Sequence, residues 1–177
     1  MKGSRTSDHV FLLKTLIEKM VKKDGEKLYA AFIDFKKAYD TVDRNVLFDR
    51  LKELGINRLL LQNIEAMYQN TEYLVKYKDG HLESISCNVG LKQGCPLSPM
   101  LFNLYIDDII NIFDTKCDPI TFQEKEISHS LYADDLIILS TSERGLQTGL
   151  DKLYDFTTKK HLAVSIVKNK TMIFNKT

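Results

Sequence analysis

Cysteine is scarce in this sequence, and long apolar runs are missing from it. Its three cysteines, Cys87, Cys95 and Cys117, are scattered, with no CxxC pair and no histidine grouping nearby. This pattern argues against a zinc site and favours reduced thiols in an intracellular protein. No apolar run approaches the ~20 residues of a membrane-spanning helix, and the first residues lack the apolar core of a secretory signal. We therefore expect no membrane partner.

The chain also has little net charge and no low-complexity segment. Its 25 Lys and Arg against 24 Asp and Glu give a net charge of +1, so whole-domain charge does not indicate nucleic-acid binding. Local lysine pairs such as Lys36-Lys37 fit either a solvated surface or a track for phosphates. No repeat or Pro/Gly-rich linker divides the 177 residues. This length and uniformity predict a single domain with its own core.

Three aspartates lie at the ends of apolar, strand-like segments. Asp34 follows residues 29–33, and Asp134-Asp135 separate residues 131–133 from residues 136–139. An ionised carboxylate is costly to remove from water, and two neighbouring ones also repel each other. Because hard oxygen ligands suit Mg²⁺, the three acids together predict a divalent metal site. For the doublet alone, the alternative is a solvated hairpin turn, which Asp favours.

The remaining patterns predict alternating helices and strands. A strand is expected over 27–35, helices over 44–54 and 57–69, a hairpin over 72–89 and a second hairpin over 127–140 with the acid pair at its tip. Ser98 is predicted to cap a helix with Pro99 at its first position, running to about Phe113, and Ser142 is predicted to cap another. Short strand pieces are expected over 162–174.

Apart from the 72–89 hairpin, this order is strand, helices, two strands, helix, strand. It predicts an α+β, ferredoxin-like (βαββαβ) sheet. In that topology the first strand lies beside the second half of the 127–140 hairpin. We therefore expect Asp34, Asp134 and Asp135 to meet at one end of the sheet.

Three segments resemble successive motifs of reverse transcriptases. They are AFIDFKKAYD at 31–40, GLKQGCPLSP at 90–99 and YADD at 132–135. The amino-acid sequence of these motifs, together with residues 100–108, is most similar to that of LINE-type (non-LTR) retrotransposon enzymes. The resemblance covers the whole chain. It implies a fingers–palm core over 1–177, with partial fingers over about 1–26. The palm would take in 27–177 with the inserted hairpin, the thumb would be absent, and both ends would be truncated.

The resemblance implies an RNA-directed DNA polymerase, a nucleotidyltransferase that adds deoxynucleotides to a primer 3′ end during retrotransposition. It implies two Mg²⁺ ions, with Mn²⁺ as a substitute. Asp34 and Asp134 would be the main ligands, Asp135 the third acid, and the carbonyl of Phe35 would complete a metal shell. The implied partners are an RNA template, a DNA primer, deoxynucleoside triphosphates and the rest of the retrotransposon polyprotein, in nucleus and cytoplasm.

Four further residues match nucleotide-binding positions of the family. Tyr39 would lie beneath the sugar and clash with a 2′-hydroxyl, Gln93 and Gly94 would contact nucleotide and template, and Lys168 would lie near the triphosphate. Taken without the motifs, Tyr39 fits a core aromatic, Gln93-Gly94 an ordinary loop bend and Lys168 a solvated turn. These interpretations remain open at the sequence level.

The sequence departs from the family pattern in two places. Ser4-Arg5 is reversed relative to the usual Arg-Ser order, and Ser165 and Asn169 stand where the family usually has Asn and Thr. One alternative is a catalytically inactive remnant or a host-retained module that binds RNA or protein, which the missing thumb favours and the intact acids disfavour. A group II intron maturase or an RNA-copying polymerase is a further alternative, which Tyr39 and the motif wording disfavour.

Overall fold

The computed structural model describes residues 6–22 and 25–176, and these contain five α-helices and eight strands. The helices are α1 (Thr6–Met20), α2 (Arg44–Glu53), α3 (Arg58–Tyr68), α4 (Ser98–Ile106) and α5 (Glu143–Lys159). The strands are β1 (Lys27–Asp34), β2 (Glu72–Lys76), β3 (Leu82–Ser86), β4 (Ile120–Phe122), β5 (Lys125–Ile127), β6 (His129–Tyr132), β7 (Asp135–Ser140) and β8 (Lys170–Asn175). Short 3₁₀ helices cover Asp107–Ile112 and Thr115–Cys117. Ser4 and Arg5, where the sequence departs from the family pattern, lie outside the described residues.

The described residues group into two compact units. The first takes in the residues up to Lys36 and those from Asp108 onward, and the second is Lys37–Asp107. No helix among the described residues is both long enough and apolar enough to cross a membrane. The sequence-based division into fingers and palm stays a prediction.

A four-stranded antiparallel sheet, ordered β6-β7-β1-β8, forms the centre of the first unit. The predicted pairing of the first strand with the second half of the 127–140 hairpin is confirmed, since β1 pairs with β7 over six residues. Successive side chains of β1 point to opposite faces of the sheet. Leu28 and Ala30 join a core with Leu16 of α1.

Helix α5 packs against the opposite face of this sheet. Ser142 caps it as predicted, because its hydroxyl accepts a hydrogen bond from the Gly145 N–H at 2.8 Å. Gly149 allows close packing, since a Cβ there would lie 3.1 Å from Cγ2 of Ile138. The small hairpin β4–β5, which the sequence patterns did not predict, precedes β6.

The second unit packs α2 against α3 and α4, and it carries the antiparallel pair β2–β3 inside the predicted hairpin range. The prediction that Ser98 caps α4 is wrong. The helix begins at Ser98 itself, with Leu97 at the cap position and no side-chain cap. The Ser98 hydroxyl instead donates to the Lys92 carbonyl at 2.6 Å, so it is used to fold the preceding loop. The α-helix ends at Ile106, before the predicted Phe113, and continues as 3₁₀ helix.

Candidate active site

Asp34 and Asp135 face each other directly across the β1–β7 ladder. The backbone of Asp34 is hydrogen-bonded away from β7: its N–H donates to Oδ1 of Asn169 at 2.9 Å, and its carbonyl accepts from the Ser165 N–H at 2.8 Å. The Asp34–Asp135 pair is therefore of the non-hydrogen-bonded kind, in which opposed side chains lie closest. Two carboxylates about a hundred residues apart in the sequence are thus brought together by strand register.

Asp134 lies in the two-residue turn that joins β6 to β7, where Tyr132 and Asp135 are register partners. The turn is tight because Ala133 adopts a positive φ of 53°. Two-residue hairpin turns require such backbone angles, which Gly or Asn adopt more readily than Ala. The predicted hairpin with the acids at its tip is confirmed, with Asp134 in the turn and Asp135 as the first strand residue.

The pKa of Asp135 is raised above its ordinary value of 3.8. Partial desolvation is the largest cause, and the charges of Asp134 and Asp34 add to it. Lys168 opposes the rise. The three acids therefore form a site of excess negative charge at the end of the sheet.

Lys168 reaches this site from the turn that precedes β8. Its Nζ lies 3.2 Å from Oδ1 of Asp34, and its own side chain is 69% exposed. Such an exposed ion pair contributes little to stability. It does place an ammonium group, free to move in solvent, directly beside the acids.

A cavity of about 420 Å³ adjoins the acids on the face of the sheet that α1 covers. Most of its lining is apolar, from α1 and the two central strands. Its polar rim includes Asp34, Asp135 and Lys168. His9 of α1 is fixed at the same cavity by a 2.7 Å hydrogen bond between its Nδ1 and Oγ of Ser130.

The donor chemistry of this site fits a divalent cation. No group of three or more His, Cys, Asp or Glu side chains that could hold a metal ion occurs within residues 6–22 and 25–176. Two facing carboxylates with a third beside them nevertheless supply hard oxygen donors of the type Mg²⁺ prefers. The charges of Asp134 and Asp34, which add to the desolvation that raises the pKa of Asp135, are charges that a cation would balance.

In the second unit, Tyr39 stacks on Phe102 of α4, with ring centroids 4.9 Å apart and planes at 27°. Phe102 is fully buried, so the tyrosine ring rests on a rigid base. Tyr39 is itself half-buried and lines a cavity of about 410 Å³ together with Gln93 and Gly94. Three of the four predicted nucleotide-binding residues therefore line one cavity.

The loop that carries Gln93 is bound to the segment that carries Tyr39. Gly90 N–H donates to the Val42 carbonyl, and Leu91 N–H donates to the Tyr39 carbonyl, both at 2.8 Å. Gly90 has a φ of 79°, and a Cβ there would lie 2.7 Å from the carbonyl oxygen of Asp40. Only glycine allows this approach of the two backbones.

Asp40 orients the amide of Gln93. Nε2 of Gln93 donates to Oδ1 of Asp40 at 2.8 Å. Because an ionised carboxylate only accepts hydrogen bonds, this contact fixes which end of the amide faces away from Asp40. Sequence reasoning did not single out Asp40, although it closes the motif at 31–40.

Arg44 is a second residue whose role the sequence did not reveal. It is buried and donates to four backbone carbonyls, those of Gly90, Tyr68, Cys87 and Val89, at 2.7–3.2 Å. Its guanidinium also lies 5.0 Å from the ring centroid of Tyr68. These bonds anchor the base of the β2–β3 hairpin and the start of the 90–94 loop. Residues 41–44 resemble the family in sequence, but that resemblance does not show that the arginine is buried on backbone carbonyls.

The candidate residues are thus distributed over both units. Asp34, Phe35, Asp134, Asp135 and Lys168 belong to the first, and Tyr39, Gln93 and Gly94 belong to the second. Phe35 continues β1 through an isolated antiparallel bridge to Val164. Asn169 and Ser165, the departures from the family pattern, bind the backbone of Asp34.

This architecture is shared with known telomerase structures. The apo telomerase of Candida Tropicalis, truncated from its C-terminal domain, superposes with a TM-score of 0.72 at 18% identity, covering 98% of this chain and 36% of that one. At that identity the likeness shows the fold alone. The fold is a mixed α+β one, of the kind found in that telomerase.

Sequence comparison identifies the family. The reverse transcriptase (RNA-dependent DNA polymerase) family model matches residues 1–177. The Pol polyprotein of the type-1 retrotransposable element R2 of Nasonia vitripennis is 30% identical over 142 residues, which are 78% of this chain and 14% of that protein. The Pol polyprotein of the type-2 retrotransposable element R2DM of Drosophila melanogaster is 28% identical over 134 residues, which are 76% of this chain and 13% of that protein. The chain belongs to the reverse transcriptase family, as a domain of the LINE-type, non-LTR kind, and it spans about a seventh of the length of these relatives.

Proposed function

We propose that this chain is the catalytic core of an RNA-directed DNA polymerase that adds deoxynucleotides to a primer 3′ end during retrotransposition. The single observation that carries the proposal is the direct opposition of Asp34 and Asp135 across β1 and β7, with Asp134 in the adjoining turn. We further propose that the β6-β7-β1-β8 sheet is a ferredoxin-like palm. Its strand order supports that assignment.

Asp34, Asp134 and Asp135, with the carbonyl of Phe35, would hold two Mg²⁺ ions, for which Mn²⁺ is a substitute. When bound, a metal pair lowers the pKa of an attacking hydroxyl and stabilises a departing pyrophosphate. The protein contributes rigid placement, because strand ends fix the carboxylates. Lys168 lies where its ammonium would neutralise charge on a triphosphate once it leaves Asp34.

Residues of the second unit would select the nucleotide. The Tyr39 ring, supported by Phe102, would exclude a 2′-hydroxyl. Gln93, oriented by Asp40, would hydrogen-bond to nucleotide or template, and Gly94 would let the backbone approach the substrate. The substrates and partners would be an RNA template, a DNA primer, deoxynucleoside triphosphates and other parts of a retrotransposon polyprotein, in nucleus and cytoplasm.

Primer extension on an RNA template tests this proposal. Asp34→Asn and Asp134→Asn should each abolish extension, because one hard ligand is lost from the site while the side-chain shape is kept. Asp155→Asn, at an exposed position of α5, is the matched control and should retain activity. Equal activity in all three variants would refute the metal assignment. If the unsubstituted chain binds RNA but does not extend the primer, the alternative of a catalytically inactive RNA-binding module is favoured instead.

A further inference from the structure

The turn Ser165–Asn169 replaces a strand as the neighbour of Asp34. The ladder between β1 and β8 ends at the pair Phe32 and Lys170, two residues before Asp34. Beyond that point the side-chain oxygen of Asn169 accepts a hydrogen bond from the Asp34 N–H, and the Ser165 N–H donates one to the Asp34 carbonyl. The amide side chain of Asn169 therefore does what a strand carbonyl would do one step further along the ladder.

The turn itself is closed by backbone bonds. The N–H groups of Lys168 and Asn169 both donate to the carbonyl of Ser165, at 3.2 and 3.0 Å. Its geometry is thus set by its own backbone, and Asn169 is partly buried within it. Because the partner of Asn169 is a backbone N–H, only an acceptor at position 169 can make this bond.

We propose that Asn169 is a positioning residue for the carboxylate of Asp34. The inference rests on the proposed function, since it assigns to Asn169 the placement of a metal ligand. Loss of the acceptor leaves the Asp34 N–H without its partner at the last residue of β1, where the β8 ladder no longer restrains the strand. The carboxylate opposite Asp135 then loses its fixed position. Groups that orient a ligand in this way typically affect metal affinity by about 10- to 100-fold.

Two substitutions at the same position separate the hydrogen bond from the bulk of the side chain. Asn169→Leu keeps the size but removes the acceptor, whereas Asn169→Asp keeps an acceptor oxygen. Asn175→Leu makes the first substitution at an exposed position at the far end of β8, the strand that follows the turn, and is the matched control. Mn²⁺ binding, measured by electron paramagnetic resonance, reports on the site without requiring turnover. Amide hydrogen exchange at Asp34 reports on the hydrogen bond from its N–H to Asn169.

Asn169→Leu should weaken Mn²⁺ binding about 10- to 100-fold and speed exchange of the Asp34 amide, whereas Asn169→Asp should restore both. Asn175→Leu should leave both at the level of the unsubstituted chain. Lower melting temperature in Asn169→Leu with unchanged Mn²⁺ affinity overturns the positioning role and leaves the proposed function standing. Mn²⁺ binding that is equally weak in the unsubstituted chain and in Asp34→Asn overturns the metal assignment, and the positioning role with it.

Discussion

Lys168 holds its ammonium 3.2 Å from the carboxylate of Asp34, across 134 residues of sequence. Asp34 is at the same time opposed by Asp135, whose carboxylate repels it. One lysine therefore offsets part of the charge of three acids. The pKa of Asp135 stays raised, because partial desolvation and the charges of Asp134 and Asp34 together outweigh the effect of Lys168.

Removing one charge from this site should stabilise the protein in the presence of a chelator. Asp135→Asn should raise Tm by up to about 2–4 °C near neutral pH, because the desolvation of the Asp135 carboxylate and its repulsion by Asp34 and Asp134 are both lost. The limit follows because exposed charges are worth about 1 kcal/mol at most. Asp135 has a raised pKa when folded, so its destabilising effect appears as pH rises through that pKa. Below pH 3.8 the carboxyl is protonated in both folded and unfolded states, and the difference should vanish.

Thermal unfolding across pH, with and without Mg²⁺, measures this effect. On the proposed metal assignment, Mg²⁺ should stabilise the unsubstituted chain more than the Asp135→Asn variant, because the variant has one carboxylate fewer to bind it. Asp155→Asn serves as the control for loss of an exposed acid from α5. A variant that is less stable than the unsubstituted chain at neutral pH in chelator would contradict the electrostatic argument.

His129 should make the protein less stable in mild acid. Burial lowers the pKa of His129 below its ordinary 6.5, and its ring stacks on Phe113 with centroids 4.9 Å apart. The neutral ring is thus favoured in the folded state, so stability is full above pH 6.5 and is lost as pH falls below it. His129→Phe keeps an aromatic ring against Phe113 and should flatten this part of the pH profile.

Urea unfolding between pH 5 and about 7.5 checks the expectation, a range that brackets the ordinary pKa of histidine. The same substitution at exposed His81, in the β2–β3 turn, controls for the loss of one histidine elsewhere. Equal slopes for the unsubstituted chain and His129→Phe would show that another group governs stability in this range.

Gly90 should be far less tolerant of substitution than Gly80. Both have positive φ, 79° and 86°, so alanine is strained at either position. At Gly90 a Cβ would also meet the Asp40 carbonyl oxygen at 2.7 Å, whereas at Gly80 nothing lies within 4 Å. Gly90→Ala should therefore cost about 1–3 kcal/mol more than Gly80→Ala. Equilibrium denaturation of the two variants isolates the clash, and equal losses of stability would mean that the two segments separate freely.

Tyr39→Ala should relax discrimination against ribonucleotides if the proposed function holds. Loss of the ring opens the space that a 2′-hydroxyl needs, and a steric difference of this size is worth about 10- to 200-fold in specificity. The measurement is the ratio of kcat/KM for deoxynucleotide and ribonucleotide incorporation. Tyr39→Phe keeps the ring on Phe102 and should keep the selectivity. Unchanged selectivity in Tyr39→Ala would assign the ring to packing alone.

The long, strongly patterned elements could be predicted from the sequence. The apolar run of β1, the spacing in α5 and the Ser142 cap each depend on residues near one another in the chain. The prediction that Ser98 is a cap was wrong because the helix begins at Ser98 itself, with Leu97 at the cap position, and the Ser98 hydroxyl donates to the Lys92 carbonyl of the folded loop. The β4–β5 hairpin was not predicted because three-residue strands carry too little pattern.

The sequence by itself determined the family and the candidate site residues, because the acids, Tyr39 and the 90–99 loop stand in motifs that can be recognised locally. Only the tertiary structure decided that Asp135 is the residue opposite Asp34 and that Ser165 and Asn169 hold the Asp34 backbone. Strand register and side-chain hydrogen bonds join residues more than a hundred positions apart. Such pairings are set by packing of the whole sheet, and no local pattern encodes them.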